Sequence, residues 1–278
     1  EHDTPQLVHF PPRMFGHTPI VFLEVSCGTL HTAAIASDGT CFTWGSNLNG
    51  RLGRATISEY EERIPGKVEV SCGLSSISCG SCHTSACSTS NGRCFTWGLG
   101  MSGRLGHGHE RDQHVPLVVE RLKDMETHRC ASGGHHTLVM VSSSKQPLPS
   151  VYSFGGGSFG KLGHGTTTST TVPMEIVSLN PKKLTSIETT YLRGTGSHGK
   201  NGSTSIEDDD ESTSYLDWVV WISAGAQHCC AVTRLGVMYT WGQGNQGRLG
   251  HGNNYDVHIP RSILSFTAKN GFKKKKVL

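Results

Sequence analysis

One phrase recurs four times along this chain at constant internal length: Trp44-Gly45 to Gly50-Arg51-Leu52-Gly53, Trp97-Gly98 to Gly103-Arg104-Leu105-Gly106, Phe154-Gly155 to Gly160-Lys161-Leu162-Gly163, and Trp241-Gly242 to Gly247-Arg248-Leu249-Gly250. Such self-similarity means that one supersecondary unit is reused, and a unit too small to bury its own apolar face must stack on its neighbours. Two further markers keep register with the phrase. Gly28-x-x-His31, Gly80-x-x-His83, Gly133-x-x-His136 and Gly225-x-x-His228 precede it, and a proline heading a short apolar run follows it at Pro65, Pro116, Pro173 and Pro260, with Pro5 alone near the start.

Between the markers the period is that of strands. Large rings alternate in Phe42/Trp44, Phe95/Trp97, Tyr152/Phe154 and Tyr239/Trp241, which puts two aromatics on one face of a strand in every module. Ser37-Asp38-Gly39 and Ser90-Asn91-Gly92 supply tight hairpins just upstream. Each module therefore predicts three or four short antiparallel strands, with modules over 5–53, 65–106, 116–163 and 173–250 and a partial one after 260. Full burial of one ring stabilises by about 1.5–3 kcal/mol, so a pair per module builds a core only if the modules pack face to face. Twisted four-stranded sheets set radially do this and leave only short edges. The expected fold class is all-β, a β-propeller of about four four-stranded antiparallel blades spanning 1–267.

Taken in order, Val25-Ser26-Cys27-Gly28 with His31-Thr32, then Asp38-Gly39 with Phe42-x-Trp44-Gly45, then Asn49-Gly50-Arg51-Leu52-Gly53, resemble the repeat of the regulator of chromosome condensation family. The resemblance covers nearly the whole chain except 180–217 and implies a propeller that usually has seven blades. At roughly 50 residues per module, 278 residues are too few for seven. The favoured expectation is a segment or partial ring of a longer protein. The alternative is closure of a small ring by the two ends, because Thr4-Pro5-Gln6-Leu7-Val8 is similar to Val115-Pro116-Leu117-Val118-Val119. The resemblance also implies protein binding and, from the founding member, guanine nucleotide exchange on a Ran-type small GTPase at chromatin. A photoreceptor branch of the family places tryptophan and arginine in the Gly-x-x-His slots. Here those slots hold Thr29-Leu30, Ser81-Cys82, Gly134-His135 and Ala226-Gln227, so that role is not implied.

Composition fits a repeat protein, with 35 glycines and 17% charged residues, and no run approaches the roughly 20 apolar residues of a membrane span. No membrane insertion is expected, and ten cysteines read as free thiols place the chain in cytoplasm or nucleus. The net charge of +3 comes largely from Lys273-Lys274-Lys275-Lys276 in a basic tail, 268–278, and does not decide for or against nucleic acid or chromatin. Asp208-Asp209-Asp210-Glu211 sits in a low-complexity acidic insertion, 180–217.

Candidate chemistry dissolves under the repeat register. Cys79-x-x-Cys82-His83 has the spacing of a zinc half-site, yet Cys27 and Cys79 share one repeat position and Cys41 and Cys94 another, which suits cysteine as a small buried hydrophobe. Gly98-x-Gly100-x-x-Gly103 and its counterparts satisfy a dinucleotide fingerprint that has meaning only ahead of a helix in a βαβ unit. His31, His83, His136 and His228 recur at one strand position and read as structural groups bonded to a neighbouring backbone. No catalytic, cofactor-binding or metal residue is expected, and no cofactor. Arg51, Arg104, Lys161 and Arg248 recur in the glycine loop and are the candidate partner-binding residues, a basic crown for acidic protein surfaces or phosphates. The competing expectation is that each long side chain covers an aromatic or bonds a carbonyl of its own blade.

Overall fold

The computed structural model describes residues 4–8, 10, 21–55, 61–88, 90–181 and 217–263. The alternating rings and hairpin turns form four antiparallel four-stranded sheets, each hydrogen-bonded in chain order. The first holds β1 (Phe22–Cys27), β2 (His31–Ala36), β3 (Cys41–Ser46) and β4 (Glu61–Lys67). The second holds β5 (Leu74–Cys79), β6 (His83–Ser88), β7 (Cys94–Gly98) and β8 (Gln113–Val118). The third holds β9 (Glu126–Ser132), β10 (His136–Ser143), β11 (Gln146–Gly155) and β12 (Thr170–Glu175), and the fourth β13 (Val219–Ala224), β14 (His228–Thr233), β15 (Met238–Gly242) and β16 (Val257–Ser262).

The proline runs fall in the fourth strand of each sheet, at its edge, where a missing N–H does least harm. Pro260 accordingly lies in β16, which pairs Tyr239 with Ser262, so it completes the fourth sheet and does not begin a partial module after 260. The acidic insertion over 180–217 and the basic tail over 268–278 lie outside the described residues apart from Asn180, Pro181 and Asp217.

The glycine after each ring sits where the third and fourth strands slip register, between Thr43 and Gly45, Thr96 and Gly98, Ser153 and Gly155, and Thr240 and Gly242. At Gly98 φ is +105°, and a Cβ there would stand 2.6 Å from the Cys82 carbonyl oxygen. Only glycine fits this bulge, which explains the aromatic-Gly pair.

Consecutive sheets pack face to face in chain order, with β1 against β5, β5 against β9 and β9 against β13. Trp97, Phe154 and Trp241 are fully buried in the three seams. Each lies in an apolar cluster with residues contributed by the preceding sheet: Val68 beside Trp97, Val119 and Leu122 beside Phe154, Ile176 and Leu179 beside Trp241. Trp44, at the same position of the first sheet, is only partly buried, and Phe10 approaches it edge-on with ring centroids 6.3 Å apart.

The first strands run so close that a Cβ on Gly80 would meet the Gly133 carbonyl oxygen at 2.5 Å and the His83 ring at a similar distance. Backbone cannot step aside as a flexible side chain can. Gly80→Ala should therefore lower the unfolding free energy by about 1–3 kcal/mol in a urea titration, and an unchanged midpoint would show that this seam is not close-packed.

Candidate functional site

Most of the recurring candidate residues converge on the seams, where the same lock is built three times. In the first seam the carbonyl of Arg51 accepts the hydroxyl of Thr84 at 2.9 Å and the indole N–H of Trp97 at 3.0 Å, both from the next sheet. Since Thr84 spends its only proton on that carbonyl, its oxygen can only accept from Nε2 of His31, 2.9 Å away. His31 therefore carries a proton on Nε2. The second seam repeats this with Thr137 donating to the Arg104 carbonyl at 2.8 Å and His83 Nε2 donating to Thr137 at 2.9 Å. Phe154 has no N–H, so the Arg104 carbonyl lacks the indole donor there. In the third seam Cys229 replaces threonine, lying 2.9 Å from His136 Nε2 and donating to the Lys161 carbonyl at 3.3 Å, while Trp241 reaches the same carbonyl at 3.0 Å.

Burial, reinforced by the Arg51 guanidinium, pushes His31 down to about 4, and burial with nearby cationic groups, Lys161 foremost, pushes His136 down to about 3. His83 is held well below its ordinary value by burial, with Arg104 adding to it. The Nδ1 atoms of all three have no hydrogen-bond partner. They face the Gly-x-x-His glycines so closely that a Cβ on Gly28 would stand 2.7 Å from His31 Nδ1. The histidines thus bond across the seam to a neighbouring side chain rather than to backbone. His228 at the fourth position is only partly buried.

The candidate crown residues are placed differently from one another. Arg51, Arg104 and Lys161 are almost wholly buried, at 2%, 1% and 2% exposure. Arg51 Nε donates to the Leu48 carbonyl at 2.9 Å and its Nη1 to the Ser81 carbonyl of the next sheet at 3.2 Å. Arg104 does the same toward Met101 at 2.8 Å and Gly134 at 3.0 Å, and Lys161 Nζ reaches the Ser158 carbonyl at 3.4 Å. Arg248 is partly exposed and bonds Asn245 and Gln243 within its own sheet. Arg51, Arg104 and Lys161 thus turn their heads to backbone carbonyls, the arrangement expected when a long side chain serves its own fold.

A second column emerges that the repeat markers did not single out. Thr96, Ser153 and Thr240 donate to the Leu105, Leu162 and Leu249 carbonyls at 2.6, 2.7 and 2.6 Å, and each also meets a histidine Nε2, of His107, His164 and His251, at 2.9–3.0 Å. Thr43 bonds Leu52 likewise at 2.7 Å, but Arg54 stands in the histidine slot. The signal was the hydroxyl residue between the two rings, paired with the histidine after Leu-Gly.

Each glycine loop continues into a 3-10 turn of three residues, as at Met101–Gly103, not into the helix that a dinucleotide fingerprint needs. Cys79 is buried between sheets, with its thiol pushed up to about 12 by burial, and burial also raises Cys41, Cys130 and Cys229. Among the described residues no three histidine, cysteine or acidic side chains are placed to hold a metal ion.

Models of the regulator of chromosome condensation (RCC1) repeat match residues 38–87, 91–140, 150–189 and 236–277, and a second model of the same repeat matches 22–51 and 219–248. Among curated proteins the chain is 32% identical over 260 residues to the human E3 ubiquitin-protein ligase HERC2, covering 91% of this chain and 4% of that protein. It is 30% identical to the human probable E3 ubiquitin-protein ligase HERC3, covering 88% and 20%, and 28% identical to the ultraviolet-B receptor UVR8 of Arabidopsis thaliana, covering 87% and 58%. The chain thus spans less than two thirds of the length of each of these relatives. Among solved structures it resembles Prp20p of Saccharomyces cerevisiae with a TM-score of 0.60 at 18% identity, covering 90% of this chain and 52% of that one. Human WBSCR16 follows at a TM-score of 0.54 and 19% identity, covering 88% and 67%. At these identities the likeness is one of fold.

Because His31 and His136 are neutral when folded and titrate near 6.5 when unfolded, the unfolded chain binds more protons between those values. Stability should be highest above pH 6.5 and fall as pH drops toward 4, by about 1.4 kcal/mol per pH unit for each such histidine. Urea midpoints at pH 7.5, 6, 5 and 4 would show the decline, and a flat profile would contradict neutral seam histidines. Replacing Arg104 by glutamate should cost about 3–5 kcal/mol, since it buries a charge and leaves carbonyls unpaired, so its melting temperature should fall rather than stay constant.

Proposed function

Because the chain belongs to the regulator of chromosome condensation repeat family, we propose that it serves as a non-catalytic protein-interaction scaffold. One observation carries this reading: the recurring groups that could act chemically are consumed in holding sheet to sheet. The buried histidines are neutral donors, Arg51 and Arg104 hydrogen-bond carbonyls, and the buried thiols are pushed away from the thiolate a nucleophile or metal ligand needs. What such an array can offer a partner is its variable loops, supported by rigid strands. No described helix is long and apolar enough to cross a membrane. The ten cysteines are free thiols, which supports cytoplasm or nucleus as its compartment.

The HERC relatives are ubiquitin ligases by name, but the chain matches only 4% and 20% of the lengths of HERC2 and HERC3, and we assign it no transfer chemistry. A second reading, guanine nucleotide exchange on a Ran-type GTPase, draws on Prp20p, whose structure was described together with its binding to Gsp1p and histones. An exchange factor acts by gripping the GTPase and displacing nucleotide, so it would need no catalytic side chain. The insertion that could serve as a wedge, 180–217, falls almost wholly outside the described residues.

Release of fluorescent GDP from a panel of Ran-like GTPases separates the two readings. As a scaffold, the chain should leave the spontaneous release rate unchanged at micromolar concentration. Acceleration of tenfold or more for one GTPase would replace the scaffold by an exchange factor.

A further inference from the structure

The three seams are not held equally, and position does not explain the difference, since the first and third seams both join an end sheet of the described array to an inner one. In the first two seams the basic side chain of the glycine loop crosses to the next sheet, Arg51 Nη1 donating to the Ser81 carbonyl at 3.2 Å and Arg104 Nη1 to the Gly134 carbonyl at 3.0 Å. In the third, Lys161 Nζ bonds the Ser158 carbonyl of its own loop at 3.4 Å and, among the described residues, no carbonyl of the fourth sheet. The lock is weaker there as well. Cys229 stands where Thr84 and Thr137 stand in the other seams, and a thiol donates and accepts less strongly than a hydroxyl.

A second set of bonds joins the first strands of successive sheets. Glu24 and Ser26, four and two residues before Gly28, accept from the backbone N–H groups of Ile77 and Cys79 at 3.0 and 2.9 Å. Ser78, two residues before Gly80, accepts from the Ser132 N–H at 2.8 Å. In the third sheet the two equivalent places hold Arg129 and Ala131, whose side chains have no acceptor. Ile222 and Ala224, the counterparts of Ile77 and Cys79, therefore find no such partner on the third sheet among the described residues. The third seam keeps backbone bonds from Gly134 to the Ala226 carbonyl at 3.2 Å and from Gly165 to the His258 carbonyl at 2.9 Å. It also has the Arg129 guanidinium 3.6 Å from the centre of the Trp221 ring, an arginine that at the same time faces Glu24 at 3.6 Å.

We propose that the third seam is where this array opens: the fourth sheet, β13 to β16, separates as a unit while the first three sheets stay packed, uncovering Trp241 together with Ile176 and Leu179. Elements that move in binding and regulation are drawn from the least stable part of a fold. The inference goes beyond the scaffold reading and stands equally for an exchange factor.

The chain carries its own reporters, because each seam buries a thiol: Cys41 in the first, Cys130 in the second and Cys229 in the third, at 2%, 3% and 0% exposure. Being closed to solvent alike, they differ in labelling rate only through opening. The chain with Cys230→Ser, so that Cys229 reads alone, is treated with iodoacetamide under native conditions and each cysteine followed by peptide mass spectrometry. Cys229 should be modified at least tenfold faster than Cys41 and Cys130. Lys161→Arg, which restores the crossing side chain, and Ala131→Ser, which restores an acceptor for Ala224, should each slow Cys229 at least threefold and leave Cys41 and Cys130 unchanged. Amide hydrogen exchange in β14 and β15 should slow in parallel. Equal rates at the three thiols would overturn the proposal by showing that they are reached through unfolding of the whole molecule. A Cys229 rate that neither restoring substitution changes would overturn it too, and faster modification of Cys41 than of Cys229 would do so by placing the opening at the first seam.

Discussion

The fold depends on one backbone oxygen per seam. The carbonyl of the basic residue in each Arg/Lys-Leu-Gly phrase stands at the boundary between two sheets and accepts from the hydroxyl or thiol of the next sheet, and at Arg51 and Lys161 from an indole as well. A buried carbonyl left without partners would cost about 1–3 kcal/mol, so each sheet is incomplete until its successor is in place. The arginine or lysine side chain folds back over the same turn and adds to the seam, which is why one residue type recurs there although its charge is hidden.

This lock explains why the sequence markers travel together. The glycine of Gly-x-x-His is bare because the imidazole lies against it on one side and the next sheet's backbone on the other. Histidine is needed because its ring spans the gap to the next sheet's threonine. The terminal glycine of the first three Arg/Lys-Leu-Gly phrases is bare because the following ring packs on it, with a Cβ at Gly53 reaching 2.6 Å from Trp97 Nε1. Three motifs separated along the chain are thus one contact in space.

Legibility in the sequence followed from this division. Strand period, ring placement and the all-β class were readable because each depends on residues close in the chain, such as Phe42 and Trp44 on one face of β3. The propeller architecture was readable through the resemblance, and the family models and the sheets support it. The phase of the unit was not. Pro260 looked like an opening because its run follows a loop, yet strand pairing to β15 makes it a closing strand, and pairing partners leave no mark on linear spacing. The basic crown also exceeded what spacing can say: equivalence around the array was visible at Arg51, Arg104, Lys161 and Arg248, but whether a head points to water or to a carbonyl depends on the neighbouring sheet.

Where the repeat is kept, each residue is explained by the seam, so the departures carry the individuality of this chain. Cys229 for threonine and Phe154 for tryptophan are departures inside the seam, and each retains part of the lock: the thiol still donates to the Lys161 carbonyl and the phenyl ring still fills the apolar cluster. Phe159 is a departure of another kind, an aromatic in the left-handed backbone region, 36% exposed on a loop that packs against β15 and β16. The same loop is capped by Ser169 where the second and fourth loops use Asp112 and Asp256, so the backbone turn is kept while its capping charge is not.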